Sequence, residues 1–106
     1  MKLGIVINTK EPETVWNALR LGNTSLKEGH ATSVFLLGNG VEIEHIKEKT
    51  YDVLATLRNF LQNGGELLAC GTCLKSRMIE GGSCPISTMA DLMKMIDKAD
   101  KVVTFG

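Results

Sequence analysis

Four short apolar runs, each rich in Val, Ile, Leu or Phe, limit the folds that are open to this chain. They cover residues 2–8, 31–37, 66–70 and 101–105, and segments with helical spacing of apolar residues separate them. Runs of this length are typical of strands buried in a parallel sheet. Strands that alternate with helices predict parallel pairing through right-handed crossovers. We therefore predict an α/β fold, a three-layer α/β/α domain with a mostly parallel five-stranded sheet.

Two of the intervening segments carry the spacing and end signals of amphipathic helices. The first helix is predicted to begin near Pro12 and to end before Gly29, with Gly22 weakening its middle. The second is predicted within residues 50–65, with Thr50 as its cap and Gly64 as its stop. Its predicted buried face consists of Val53, Leu54, Leu57 and Leu61.

The last helix is predicted from a capping box. Thr88 is followed three residues later by Asp91, the spacing at which cap and backbone satisfy each other. The predicted buried face of this helix consists of Met89, Leu92, Met93 and Ile96. A brief fourth strand is predicted over residues 83–86, at an edge or strand end because Pro85 cannot donate a ladder hydrogen bond.

Two further segments are short. Residues 38–40 read as a turn, and residues 41–49 fit a short strand, a helical turn or an irregular flap, so three alternatives remain for them. Residues 73–79 are predicted to form about two helical turns after the third strand.

Composition narrows the classes of function. The 106 residues predict one domain over residues 1–106, and 43% apolar with 23% charged residues is ordinary for a folded protein. The net charge is zero and no basic cluster occurs, which argues against a nucleic-acid partner. No apolar run approaches the ~20 residues that span a bilayer, so no membrane partner is expected. Three cysteines, an odd number, predict the reducing cytoplasm rather than a disulfide framework.

All three cysteines, Cys70, Cys73 and Cys84, fall within fifteen positions. In parallel sheets, reactive groups gather beyond the carboxyl ends of the strands, and the third strand delivers Cys70 to that edge. A strand-to-helix turn can stabilise a thiolate through free backbone N–H groups. Gly71 and Thr72 would form this turn, and Lys75 and Arg77 add positive charge behind it. The predicted site is therefore catalytic Cys70 and Cys73, with Cys84 beside them.

Plainer interpretations of the same residues remain. Cys70 could finish a strand as a small apolar side chain, since free cysteine is among the most buried residue types. Zinc would need a fourth ligand beyond the three thiols, and His30 and His45 lie in distant segments. The glycines at 38 and 40 lack the further glycine of a dinucleotide loop. We predict neither a metal nor a cofactor.

Against this background, the sequence resembles a known family. Residues 67–70, LLAC on a strand, residues 86–92, ISTMADL opening a helix, and the closing ADKVVTF are similar to the C-terminal half of DsrE/DsrF/TusD-like proteins. NALRLGNTSLKEGHATSVFLLGNGV, residues 17–41, is similar to the first helix and second strand of that family. The motif CGTCL is also similar to the DsrE-like domain of YedF-type proteins, which are linked with selenium metabolism.

The resemblance implies a single DsrE-like domain that acts as a cytoplasmic sulfur-relay protein. In that role, the cysteine after the third strand, here Cys70, carries a persulfide sulfur between a protein donor and a protein acceptor, a sulfurtransferase-like activity. Relatives of this kind assemble as homo- or hetero-oligomers, so the resemblance implies a homo-oligomer, whether dimer, trimer or hexamer.

The chain departs from the TusD-type pattern of one cysteine in this loop, because Cys73 is added and Cys84 follows. A neighbouring thiol can attack a persulfide on Cys70 and expel sulfide, leaving a disulfide. Three hypotheses follow. The chain is a sulfur carrier, or a dithiol redox protein or sensor that uses Cys70 and Cys73, or a non-catalytic oligomeric binding module in which the thiols only pack.

Overall fold

A five-stranded sheet forms the centre of the protein in the computed structural model, which describes residues 1–77 and 86–106. The strands run in the order β4-β3-β2-β1-β5, and every neighbouring pair is parallel. Their bounds are β1 (Lys2–Ile7), β2 (Ala31–Leu36), β3 (Glu66–Cys70), β4 (Ile86–Ser87) and β5 (Lys101–Phe105). The predicted α/β/α class is confirmed, and the mostly parallel sheet proves to be parallel throughout.

The helical elements are α1 (Pro12–Lys27), a 3₁₀ helix η1 (Gly38–His45), α2 (Val53–Gln62), α3 (Gly71–Ser76) and α4 (Met89–Lys98). Of the three alternatives for residues 41–49, the helical one applies up to His45. The short helix predicted for residues 73–79 begins two residues earlier, at Gly71. Residues 78 and 79 of that prediction, and 83–85 of the predicted fourth strand, lie outside the described residues.

Two apolar clusters hold the layers together, one on each face of the sheet. The first joins α1 and α2 to one face, with Ile5, Leu19 and Phe60 fully buried in it. The second is smaller and lies under α4, where Phe35 is fully buried together with Val6, Cys70, Leu92 and Met95. Because strand side chains alternate between faces, Cys70 belongs to the smaller cluster although Ala69 belongs to the larger one.

Glycines define the course of α1 as predicted, although one has an additional role. Gly29 follows the helix with φ of 87°, a left-handed conformation that glycine adopts without a Cβ clash. A Cβ on Gly22 would lie 2.9 Å from the ring of Phe60. Gly22 therefore does more than weaken the helix, because its missing side chain lets α2 approach α1.

The start and the buried face of α2 differ from the prediction. Asp52, not Thr50, caps the helix, and its carboxylate accepts a hydrogen bond of 3.0 Å from the Ala55 backbone N–H. The side chains of Leu54 and Leu61 are only half-buried. The fully covered positions of this helix are Val53, Leu57 and Phe60. The helix is thus rotated toward Phe60, which fills the space beside Gly22.

We expect Asp52→Ala to lower the free energy of unfolding by about 1 kcal/mol, because the Ala55 N–H loses its acceptor at the helix start. Thr50→Ala is the matched control, since the exposed Thr50 lies outside the helix, and we expect it to change stability by less than about 0.5 kcal/mol. Urea unfolding of both variants measures the difference. Equal losses for the two variants would contradict the placement of the cap.

The predicted capping box of α4 is confirmed, whereas its predicted buried face is wrong. Thr88 and Asp91 bond reciprocally, and the bonds from Thr88 lower the pKa of the Asp91 carboxyl. Leu92 and Met95 are the buried positions of the helix. Three of the four predicted core positions, Met89, Met93 and Ile96, are exposed by 61%, 60% and 41%. The apolar arc of this helix is wider than the sheet beneath it covers.

Candidate functional site

Cys70 lies at the carboxyl end of β3, where the topology predicts that reactive groups gather. It is the last residue of the strand and the cap residue of α3, with φ of −63° and ψ of 117°. Only 4% of the residue is exposed, and it packs in the smaller cluster with Val6, Phe35 and Leu92. Its thiol is free. The backbone turns directly after this residue, so the thiol sits at the end of the sheet rather than within it.

Cys73 lies in the first turn of α3 and is half-buried, with a free thiol. Its Sγ accepts a hydrogen bond of 3.3 Å from the backbone N–H of Gly38, the first residue of η1. The side chain packs against both apolar clusters. Cys73 is therefore held at a defined position between the end of β2 and the end of β3.

Both thiols line one open cleft of about 400 Å³ at this edge of the sheet. The opposite wall comes from the end of β4 and the start of α4, with Ile86 and Met89 as its exposed apolar side chains. The residues around the cleft are Cys70, Gly71, Thr72, Cys73, Lys75, Ile86, Ser87, Thr88 and Met89. The predicted site residues Cys70, Gly71, Thr72, Cys73 and Lys75 are thus brought together, and Lys75 supplies the charge among them.

Arg77 binds behind α3 instead of lining the cleft. Its guanidinium pairs with the Glu42 carboxylate at 3.0 Å and donates to the Asn39 side chain at 3.0 Å. A third hydrogen bond of 3.2 Å reaches the carbonyl oxygen of Cys73. Arg77 therefore ties α3 to η1 through main chain and side chains, and it touches the backbone of Cys73 rather than its sulfur.

The acidic partner of Arg77 is held in its charged form. Burial raises the pKa of Glu42, but the hydrogen bond from Arg77 and the nearby charge of Lys10 outweigh this effect, and the pKa lies below its ordinary value. Lys10 is 3.5 Å from the other carboxylate oxygen. The ion pair thus persists at neutral pH and fixes the distance between η1 and α3.

The remaining predicted residues have distinct positions. Gly71 begins α3, and a Cβ there would lie 2.7 Å from Cγ2 of Ile86, so the missing side chain leaves room for β4. Thr72 is exposed at the rim of the cleft. Cys84 lies outside the described residues.

Sequence reasoning missed the contribution of η1 to this site. Gly38, Asn39 and Glu42 contact Cys73 or Arg77 although they lie 35 to 38 residues away along the chain. The signal available was topological, because residues directly after β2 must meet those directly after β3 at the same edge of a parallel sheet. The same reasoning nominates Ser87 and Thr88, which follow β4.

Two searches of the described residues complete the inventory of this part of the chain. Within residues 1–77 and 86–106, no three His, Cys, Asp or Glu side chains come together closely enough to hold a metal ion. No helix in those ranges is long and apolar enough to cross a membrane.

Comparison with known proteins gives a consistent result. The model of the DsrE/DsrF-like family matches residues 1–105. An uncharacterised protein of Methanocaldococcus jannaschii is 35% identical over 117 residues, which cover 99% of this chain and all of the relative. An uncharacterised protein of Methanopyrus kandleri is 32% identical over 102 residues, covering 88% of this chain and 83% of the relative. A conserved protein of unknown function from Bacteroides thetaiotaomicron shares the fold with a TM-score of 0.80 at 21% identity, covering 97% and 93% of the two chains.

Proposed function

The chain belongs to the DsrE/DsrF-like family, and we propose that it is a cytoplasmic sulfur-relay protein that carries a persulfide sulfur on Cys70 between a donor protein and an acceptor protein. The observation that carries the proposal is the position of Cys70. It is a free thiol at the carboxyl end of a parallel strand, and it lines an open cleft. A thiol that served only for packing would not need such access.

The chemistry of loading is a thiol exchange at sulfur. The Cys70 thiolate attacks the outer sulfur of a donor persulfide, a new S–S bond forms on Cys70, and the donor S–S bond breaks. The donor leaves as a thiolate, so no external oxidant or reductant is needed. Delivery to the acceptor repeats the same exchange in the opposite sense, with Cys70 as the leaving thiolate.

The surroundings of Cys70 suit a carrier. The residue is 4% exposed, so bulk solvent has little access to a sulfur atom added there. The open cleft gives a partner cysteine a route to it, and the cation of Lys75 on the cleft wall favours an anionic thiolate or persulfide. Donor and acceptor are therefore expected to insert a cysteine-bearing loop rather than to dock a flat surface on this thiol.

A dithiol redox function is the second candidate, because Cys70 and Cys73 line the same cleft. Two cysteines separated by two residues across a helical turn can form a disulfide. Titration against a thiol–disulfide buffer tests it. A reversible two-electron transition that is lost in Cys73→Ser supports the redox function, and a protein that stays reduced throughout argues against it.

We expect Cys70→Ser to abolish sulfur loading, because a hydroxyl is not activated as a thiolate is. The protein is incubated with a low-molecular-weight persulfide and its intact mass is recorded. The wild-type chain should gain the mass of one sulfur atom, and Cys70→Ser should gain none.

Cys84→Ser is the matched control for this experiment, since it removes a thiol of the same segment. This variant should load as the wild type does. Loading that survives in Cys70→Ser, or that disappears in Cys84→Ser alone, would show that the carrier is not Cys70.

A further inference from the structure

The free edge of β5 lies at the opposite side of the sheet from the thiol cleft. This strand is the terminal one in the order β4-β3-β2-β1-β5, and it pairs with β1 from Leu3↔Lys101 to Ile7↔Phe105 without interruption. An uncovered, regular edge is a template for another strand, and folded proteins usually block such edges with charges, proline or bulges. Lys101 is the only charged residue of β5, and the strand contains no proline.

The main-chain groups that face outward can be assigned. The Asn8 N–H donates to the carbonyl oxygen of Phe105 at 2.9 Å, so the N–H and C=O groups of Phe105 face β1. In a parallel ladder these groups alternate along the strand, and those of Lys101 and Val103 face β1 as well. The N–H and C=O groups of Val102 and Thr104 therefore point away from the sheet.

The side chains at this edge are apolar and uncovered. Val102 and Val103 are exposed by 38% and 36%, on opposite faces of the sheet. Helical periodicity places Leu21, 37% exposed, on the flank of α1 opposite the groove that α1 shares with α2. Because α1 packs against β5 as well as β1 and β2, this flank lies on the side of the β5 edge.

We propose that a second copy of this chain covers the edge, with the two β5 strands antiparallel about a two-fold axis at Val103. In this register Val102 of each copy faces Thr104 of the other, and the two residues exchange both main-chain hydrogen bonds. Four hydrogen bonds then join the two sheets into one of ten strands. The two copies of Val103 meet as a close non-hydrogen-bonded pair, the arrangement in which side chains approach most nearly.

Charge favours a second copy as the occupant. The formal net charge of the chain is zero, so two copies do not repel each other. In the proposed register Lys101 faces Phe105 of the other copy, so the two lysines are not opposite each other. The same self-complementarity is what a two-fold interface requires. The pairing strand has five residues, which places the interface among the smaller ones, and we expect a dissociation constant in the micromolar range.

Thr104→Pro tests the pairing without touching the β1 ladder, because proline removes only an outward N–H. Each variant dimer loses two of its four hydrogen bonds, and we expect its dissociation constant to rise by at least about tenfold. Sedimentation equilibrium over a concentration series measures it against the 11.5 kDa chain mass. Thr104→Val is the matched control, since it keeps the N–H and should dimerise as the wild type does.

Two further measurements keep the proposal testable if Thr104→Pro fails to fold. Val103→Lys places two cations in direct opposition and should also weaken the dimer, whereas Met93→Lys, an equally exposed apolar position on α4, should not. In the wild-type protein, hydrogen exchange at Val102 and Thr104 should slow as concentration rises. A wild-type chain that stays monomeric up to millimolar concentration, or variants at Thr104 and Val103 that assemble as the wild type does, would overturn it. This inference does not depend on the chemistry of Cys70.

Discussion

Replacing Cys73 by serine should lengthen the lifetime of a persulfide on Cys70 by at least about tenfold. In the wild-type chain, the Cys73 thiolate can attack Sγ of the loaded Cys70. The S–S bond of the persulfide breaks, sulfide leaves with its electron pair, and a Cys70–Cys73 disulfide forms. A serine hydroxyl cannot perform this step, so the sulfur stays until an acceptor thiol takes it.

The position of Cys73 makes this substitution a clean one. Its Sγ accepts the Gly38 N–H at 3.3 Å, and a serine Oγ can accept from the same donor. The backbone carbonyl of Cys73 keeps its bond from Arg77 because the substitution leaves the main chain unchanged. We therefore expect the tie between η1 and α3 to survive, which confines the effect of Cys73→Ser to the missing thiol.

The measurement is the release of sulfide from protein loaded with persulfide and freed of excess donor, together with intact mass under non-reducing conditions. Wild-type protein should release one equivalent of sulfide per loaded chain and lose two hydrogen atoms as the disulfide forms. Cys84→Ser is again the control and should behave as the wild type. Equal persulfide lifetimes in wild type and Cys73→Ser would show that Cys73 does not act on Cys70.

Much of the fold could be predicted from local signals. The apolar runs located β1, β2, β3 and β5 to within one residue of their observed ends, because a strand covered on both faces tolerates few polar residues. Gly29 and Gly64 mark the ends of α1 and α2 with φ of 87° and 90°, conformations that other residues rarely adopt. These signals are written into single residues, so no tertiary context was needed.

The buried face of α4 could not be predicted in the same way. Its apolar side chains span a wide arc, and periodicity alone does not tell which part of that arc meets the sheet. The contacts decide it: Met95 lies against Gly4 of β1, whereas Met89 and Met93 face outward. The cap of α2 failed for a related reason, because Thr50 and Asp52 are both good cap residues and only the position of the first turn selects one.

The candidate site divides along the same line. Cys70 could be placed from sequence because it ends a strand of a parallel sheet. The bond from Gly38 to Cys73 and the ion pair of Arg77 with Glu42 join residues 35 positions apart, and no local pattern encodes such a pairing. They depend on two loops that meet only after the strands have assembled.

Substituting alanine for either of two fully buried phenylalanines should separate the stability of the domain from the protection of the thiol. Phe35 and Phe60 are both 0% exposed, and each truncation is expected to cost about 3–5 kcal/mol of the free energy of unfolding. That is a large part of the roughly 5–15 kcal/mol available to a small domain. Thermal and urea unfolding measure both losses.

The two variants should nevertheless differ at Cys70. Phe35 packs in the same cluster as Cys70, under α4, whereas Phe60 packs on the other face of the sheet between α1 and α2. Under conditions that keep both variants folded, such as added sulfate at low temperature, Phe35→Ala should speed thiol labelling of Cys70 and Phe60→Ala should leave it near the wild-type rate. The reason is local: a cavity beside Cys70 loosens its packing, and a cavity across the sheet does not. Equal labelling rates in the two variants would mean that Cys70 is protected by the sheet as a whole rather than by the cluster beneath α4.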